Sequence, residues 1–469
     1  MSNSRPPNLL FVYPDQMRGQ ALGFLGEEPV RTPHLDRFAA QSLVLPQAAA
    51  SYPVCSPSRA MWMTGAYPWT SANPVTGNCT SRSAPYGVEL PEDVRCWSDV
   101  LHDQGYSLGY IGKWHLDAPY EPYIDCANNR GDLKWNEWCP PQRRHGFDHW
   151  YAYGTYDDHT RPLYWDTHAA REDFCYIDRW GPEHEADRAI DYLRNTGGGY
   201  RDTERPFVLV VGMNPPHMPY DLVPDEYVEL YADLDLEALC RQPNIPPAGT
   251  EWGDYYRAQV RNYYAMVSGV DAQFGRILAA LEEQGLADDT IVLFNSDHGN
   301  CLGIHDQISK NNPYEESMRV PFLVRWPGRI APRQDDLLLS TVDIYPTLLD
   351  LMGLGGEVPA EVQGASYAPL FLGDEMERPN SQLYLWMPFD RPALGRRGLR
   401  TERYTYVENR MPDEPASCEL YDRVEDPYQM IELSPHRPEL VRALSEQLAH
   451  CLAETGERWP PICPESGLE

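Results

Sequence analysis

Asn8-Leu9-Leu10-Phe11-Val12-Tyr13-Pro14-Asp15-Gln16 runs an unbroken apolar stretch into a proline and then an acid. The stretch is too short for a helix and has no polar alternation, which fits a strand buried on both faces. Ser107–Ile111, Phe207–Val211, Thr290–Phe294 and Val320–Val324 repeat the pattern, with helix-like segments between them. That alternation predicts an α/β fold with a large, mostly parallel sheet flanked by helices. Three of the runs lead directly into polar clusters, at Asp15, at His217 and at Asp297-His298. In open parallel sheets the ligand crevice lies beyond the carboxyl ends of the strands, so the clusters are expected to converge.

Outward from these strands, Thr32-Pro33 reads as the cap and first turn of a helix carrying Leu35 and Phe38. From about Tyr255 to Glu283, Val260, Tyr264, Val267, Phe274, Ile277, Leu278 and Leu281 recur at helical spacing until Gly285. Residues 114–165 show no clear period and are crowded with tryptophan and tyrosine, either a stacking wall for a sugar or aryl ring or ordinary packing. The alternating pattern stops near 364–373. Beyond it, 381–407 with 419–421 reads as short antiparallel strands and 438–454 as a final helix. The expected domains are therefore 1–375 and a small C-terminal α+β domain, 376–469.

The 469 residues carry 39 basic and 70 acidic side chains, a formal charge of −31. With 42% hydrophobic and 12% aromatic residues the chain can bury a large core and does not resemble a disordered protein. The negative balance argues against nucleic acid or an anionic membrane as the main partner, and any anionic substrate must meet a local cationic pocket. No apolar run approaches the ~18 residues of a membrane span, and Met1–Pro7 lacks the pattern of a secretion signal, so a soluble cytoplasmic protein is expected. The formal glycosylation sequon Asn78-Cys79-Thr80 then carries little weight. Eleven cysteines show no zinc-type spacing and read mostly as reduced, buried small hydrophobes. The chain has only three lysines, Lys113, Lys134 and Lys310, a hint that a compact ammonium is wanted where they occur.

Cys55-Ser56-Pro57-Ser58-Arg59 opens a short helix that Gly65 closes. Ser56 is the expected N-cap and Pro57 the first turn, which sets Cys55 at the positive end of a helix dipole.

This string resembles the hallmark Cys-x-Pro-Ser-Arg of the sulfatase family, within the alkaline-phosphatase-like superfamily. The resemblance runs in order along nearly the whole chain: Pro14–Arg18, Thr32–Arg37, the Cys55 string, Gly112-Lys113-Trp114-His115-Leu116, Pro216–Tyr220, Ser296–Gly299, Lys310 with Tyr314–Glu316, Arg319–Pro321, and Glu419–Asp422 with Asp426-Pro427. It implies that Cys55 is oxidised to formylglycine by a maturation enzyme, and that the hydrated aldehyde attacks the sulfur of a sulfate monoester. Asp15, Gln16, position 55, Asp297 and His298 are then the expected ligands of one divalent metal. Two acids at separate strand ends call for a cation between them, and an oxygen-rich set favours Ca2+ or Mg2+. By resemblance Ca2+ leads, while Gln16 and His298 leave room for Mn2+.

Arg59, one turn after Cys55, is expected to orient the diol. Lys113 and His115 would share a face if the strand persists, the lysine holding a sulfate oxygen and the histidine bonding the diol or serving as base. By resemblance His217 and Lys310 match the family's sulfate-binding and leaving-group positions, with the acid among them undecided. His34, His145, His149, His159 and His305 read as structural, although His149 or His159 could reach substrate from the aromatic segment. The substrate is expected to be a small-molecule or carbohydrate sulfate ester, with its alcohol and the oligomeric state unread. A phosphonate monoester or phosphodiester hydrolase of the same superfamily is the chemical alternative, and a non-catalytic sulfated-glycan binding protein the alternative from another class.

Overall fold

The computed structural model describes residues 6–70, 89–132, 134–388, 391 and 393–462; the Asn78-Cys79-Thr80 sequon lies outside them. Its main sheet is built from β1 (Asn8–Pro14), β2 (Leu43–Val44), β3 (Ser107–Lys113), β4 (His149–Tyr153), β5 (Leu163–Asp166), β6 (Cys175–Tyr176), β7 (Phe207–Met213), β8 (Thr290–Asn295), β9 (Phe322–Arg325) and β10 (Arg333–Gln334). Their order is β10-β2-β9-β8-β1-β7-β3-β4-β5-β6. The centre, β8-β1-β7-β3-β4, is parallel throughout. β1, β3, β7 and β8 are buried along their whole length, as continuous apolar runs require.

The pleat sorts these strands between two cores. Leu10, Val12, Leu209, Val211, Val292 and Phe294 face the 33-residue helix Glu251–Glu283 through Val260, Val267, Phe274 and Ile277. Leu9, Phe11, Leu108, Val208, Ile291 and Leu293 face the opposite way, toward Ala60, Trp62, Val100, Leu101, Leu348 and Leu349. The run at Val320–Val324 departs from the parallel expectation: its strand starts at Phe322 and is antiparallel to β8. Pro321 has no N–H for a ladder, and Val320 donates its own to Ala48 O, so pairing with β8 begins only after the proline.

Thr32 also differs from expectation. It precedes the helix Pro33–Ala39, but its hydroxyl accepts from Gly23 N–H and donates to Asp36 instead of capping the helix. The aromatic segment is mostly packing: Trp114, Trp150, Tyr151, Tyr153, Tyr156, Tyr164 and Trp165 are buried, many of them in edge or stacked ring pairs.

The second sheet is antiparallel and sequential, β11 (Ser381–Trp386), β12 (Gly395–Thr401), β13 (Tyr404–Arg410) and β14 (Ser417–Asp422). The helix Pro438–Glu454 covers it with Leu444, Leu448 and Leu452 against Leu385, Leu399, Tyr406 and Leu420. Tyr52, Val54 and Met61 join the same core, so this sheet props the segment that carries Cys55. The nine cysteines described are all free. Among the described residues no helix is long and apolar enough to cross a membrane.

Candidate active site

Four neighbouring strands end at one edge of the main sheet and each delivers polar groups there. Lys113 is the last residue of β3, Asp15 follows β1, Asn214 follows β7, and Asp297-His298 follows β8. The helix Cys55–Thr64 lies across these ends. Its N-cap is Val54, in extended conformation, and not Ser56; Cys55 is therefore the first helical residue. Ser56 fails to cap because its hydroxyl donates to His115 O at 3.0 Å, while Ser58 donates to Asp297 O at 2.6 Å. These two bonds pin the helix start to β3 and β8. Gly65 ends the helix at φ 65°, where a Cβ would come within 2.8 Å of Val362, so a side chain is excluded twice over.

Cys55 Sγ lies 2.9 Å from Lys310 Nζ, 3.2 Å from His298 Nε2 and 3.6 Å from Asp15 Oδ1. His298 Nε2 is 3.4 Å from Asp15 Oδ1 and 3.7 Å from Asp297 Oδ1. Opposite charge surrounds the two carboxylates: Lys113 Nζ reaches Asp15 Oδ2 at 2.7 Å, and Arg59 donates to Asp15 Oδ2 at 2.8 Å and to Asp297 Oδ2 at 3.0 Å. Arg59 also donates to Lys113 O and Tyr13 Oη, and it sits over the Tyr13 ring. Its guanidinium is thus taken up in locking both acids to the end of β3. The Tyr13 and Tyr110 hydroxyls bond to each other, and both lie within hydrogen-bond distance of Lys113 O.

The local electrostatics follow from this crowding. Burial alone would raise the Asp15 carboxyl, but the charges of Lys113 and Lys310 pull it well below the usual range. Burial and Asp15 push the Cys55 thiol up; Lys310, Lys113 and His298 outweigh them and bring it down. His298 is disfavoured as a cation by burial, yet the Asp297 charge carries it up to about 9. His115 and His217 move far the other way, through burial first and then through neighbouring cations, which keeps both rings neutral near pH 7.

Asp15, Cys55, Asp297 and His298 each offer one donor atom, and all four atoms lie within 4.8 Å of one another in full burial. Two buried carboxylates, an imidazole and a sulfur at this spacing fit a single divalent cation. Gln16, at φ 69°, belongs to the same cluster: its N–H donates to Asp297 Oδ1, its Oε1 accepts from Lys310 at 3.1 Å, and its Nε2 donates to Tyr220 Oη.

The structure therefore gathers Asp15, Gln16, Cys55, Arg59, Lys113, Asp297, His298 and Lys310 into one contact network, with His217 and His115 beside it. Lys113 and His115 do not share a strand face, because β3 stops at Lys113. Trp114 N–H bonds to Tyr153 O and His115 turns into the left-handed region at φ 59°. Among the other histidines, His149 packs on Tyr192 and Tyr200, His305 stacks on Tyr314, and His159 bonds to His217 O. Sequence reasoning missed Asn214, which accepts from Lys113 Nζ at 2.9 Å, and the Tyr13–Tyr110 pair. Asn214 had one signal, its place at the end of an apolar run; the tyrosines had none, since each sits inside a run read as core.

The sequence model described as Sulfatase matches residues 7–354, and one described as N-sulphoglucosamine sulphohydrolase, C-terminal, matches 303–454. An endo-4-O-sulfatase of Bacteroides thetaiotaomicron is 40% identical, across 97% of this chain and 93% of its own. An ulvan-active sulfatase of Formosa agariphila is 31% identical, across 97% and 82%. A Bacteroides fragilis crystal structure whose name places it among the sulfatases superposes with a TM-score of 0.93 at 50% identity, covering 98% of each chain.

Proposed function

Because this chain belongs to the sulfatase family and is a sulfuric ester hydrolase, we propose that it acts on a sulfated carbohydrate, and that residue 55, matured by a formylglycine-generating enzyme, carries the attacking oxygen. The observation that carries the second part is the setting of Cys55 Sγ, between Lys310 Nζ at 2.9 Å, His298 Nε2 at 3.2 Å and Asp15 Oδ1 at 3.6 Å. The first part draws on the relatives, whose names specify a 4-O-sulfate and ulvan; a 4-O-sulfate within a glycan is the substrate of choice.

Asp15, Gln16, Asp297, His298 and position 55 would hold the divalent ion, with Ca2+ the first candidate. When bound, it supplies positive charge beside the oxygen at position 55. The remaining work falls to the side chains. An ammonium has three N–H donors. Lys113 commits two, to Asp15 and Asn214, and presents the third to a sulfate oxygen. Lys310 likewise keeps one donor beyond Cys55 and Gln16. His217 Nδ1–H donates to Met218 O at 2.7 Å, which leaves Nε2 as the face toward substrate. The proton for the departing alkoxide is held between His217 Nε2 and Lys310 Nζ. His115, neutral and buried beside position 55, stands ready to accept a proton there.

Turnover of a 4-O-sulfated oligosaccharide, its 6-O-sulfated isomer, an aryl sulfate and a phenyl phosphonate ester, measured on metal-replete matured protein, tests this reading. The 4-O-sulfate is expected to be fastest. A faster phosphonate would transfer the site to the phosphonate monoester hydrolases, and a faster 6-O-sulfate would overturn the regiochemistry.

A further inference from the structure

The ammonium of Lys113 is fully buried and held from two sides, by Asp15 Oδ2 and by Asn214 Oδ1. Asn214, 2% exposed, is itself oriented from behind. Its Nδ2 donates to Tyr156 O at 2.8 Å and lies 3.4 Å from Asp157 Oδ1 and 3.5 Å from His159 Nδ1. A backbone carbonyl only accepts, so the amide must turn its nitrogen to Tyr156 and its oxygen to Lys113. His159, also 2% exposed, sets Nε2 at 2.8 Å from His217 O. That carbonyl needs a donor too, so Nε2 carries the hydrogen; in a neutral ring Nδ1 is then an acceptor, facing the Asn214 amide. Burial keeps His159 neutral by lowering its pKa. Asn214 O accepts His217 N–H at 3.0 Å, which closes the loop between the two residues.

We propose that Asn214 and His159 are positioning residues for sulfate hydrolysis: Asn214 aims the Lys113 ammonium, and His159 fixes both the Asn214 amide and the turn that carries His217. The inference rests on Lys113 and His217 acting on the sulfate ester as set out above. Neither positioning residue reaches the reacting atoms through the contacts described. With Asn214 gone, Lys113 has Asp15 as its remaining anchor and its third N–H is free to swing; misplacement by about 1 Å costs on the order of 100-fold.

A double-mutant cycle on metal-replete, aldehyde-containing enzyme tests this, with kcat/KM for an aryl sulfate read far below the melting temperature. Lys113→Ala and Asn214→Ala are each expected to lose activity, Asn214→Ala by about 10- to 100-fold. The double variant is expected to fall within about threefold of Lys113→Ala, because Asn214 acts through the lysine. Should Asn214→Ala fold poorly, Asn214→Asp keeps the volume and the acceptor but loses the donor to Tyr156 O, and the same cycle is run with it. His159→Gln restores a donor to His217 O and is expected to recover most of the activity that His159→Leu loses. Losses that multiply in the double variant, or variants that lower only the melting temperature, overturn the positioning role. Full activity in Lys113→Ala would instead overturn the lysine's place in the proposed function, so the two failures are told apart.

Discussion

Among the described residues, two of the clusters of buried charge are wired differently. Around Glu315, Arg400 donates Nε to Oε1 at 2.6 Å and Nη2 to Oε2 at 2.7 Å, and Arg423 adds further bonds to both oxygens. Gln47 and Gln382 take up other arginine donors, so the carboxylate and its partners close on themselves. Burial tends to raise Glu315, but the two guanidinium groups hold it far below the usual carboxylate range; burial and the like charge of Arg423 lower Arg400 to about 10. This cluster fastens the second sheet to the main one. At the strand ends, by contrast, Asp15, Cys55, Asp297 and His298 point donor atoms at a common spot, while Lys113 and Lys310 each keep an N–H in hand. Buried charge alone does not mark chemistry; valence left over after the internal pairing does.

The sharpest way to break the contrast is to remove groups one at a time from the two clusters. Cys55→Ala is expected to lower kcat/KM by on the order of 10^4-fold or more while melting stays close to the parent and metal binding is kept in part. Lys310→Ala is expected to lose about 10²- to 10³-fold in kcat, the size of one lost transition-state donor, with little change in melting. Glu315→Gln should do the reverse: stability falls by about 3–5 kcal/mol in urea unfolding, because two buried guanidinium groups lose their counter-charge, while the folded fraction keeps its kcat. An activity loss in Glu315→Gln larger than its unfolded fraction explains would erase the distinction.

The smallest expected effect sharpens the contrast at a third place. Glu185 is wholly buried and accepts from Tyr153 and Tyr164 hydroxyls; burial lifts its pKa from 4.5 to about 8. Below pH 4.5 both folded and unfolded chains hold the proton. Between 4.5 and about 8 the unfolded chain releases it and the folded chain retains it, so this group's contribution to stability declines as pH rises and levels off above that window. Glu185→Gln, which keeps an acceptor for the tyrosines, is expected to gain in melting temperature over the parent more at pH 8 than at pH 5. Equal gains at both pH values would show that the carboxyl is already ionised in the fold.

The sequence made much of this legible because buried parallel strands and long amphipathic helices write strong periodic signals. The four central strands and the helix Pro438–Glu454 stand where their apolar patterns put them, and so do Asp15, Asp297 and Lys113 at the strand ends. Two-residue strands such as β2, β6 and β10 have no period to read. Ser56 looks like a cap by type, and only the distant carbonyl of His115 takes its hydroxyl away. The same holds for Asn214, whose partners Lys113 and Tyr156 are far off in sequence. Local chemistry is visible in one dimension, whereas hydrogen bonds across strands are set by register.

The account stands on residue 55 working as an aldehyde and not as a thiol. Preparations spanning a range of maturation, with aldehyde at position 55 measured by a carbonyl-reactive probe and peptide mass, should show kcat per chain rising in proportion to aldehyde content from zero. Full turnover in protein whose residue 55 is entirely unmodified cysteine would contradict it.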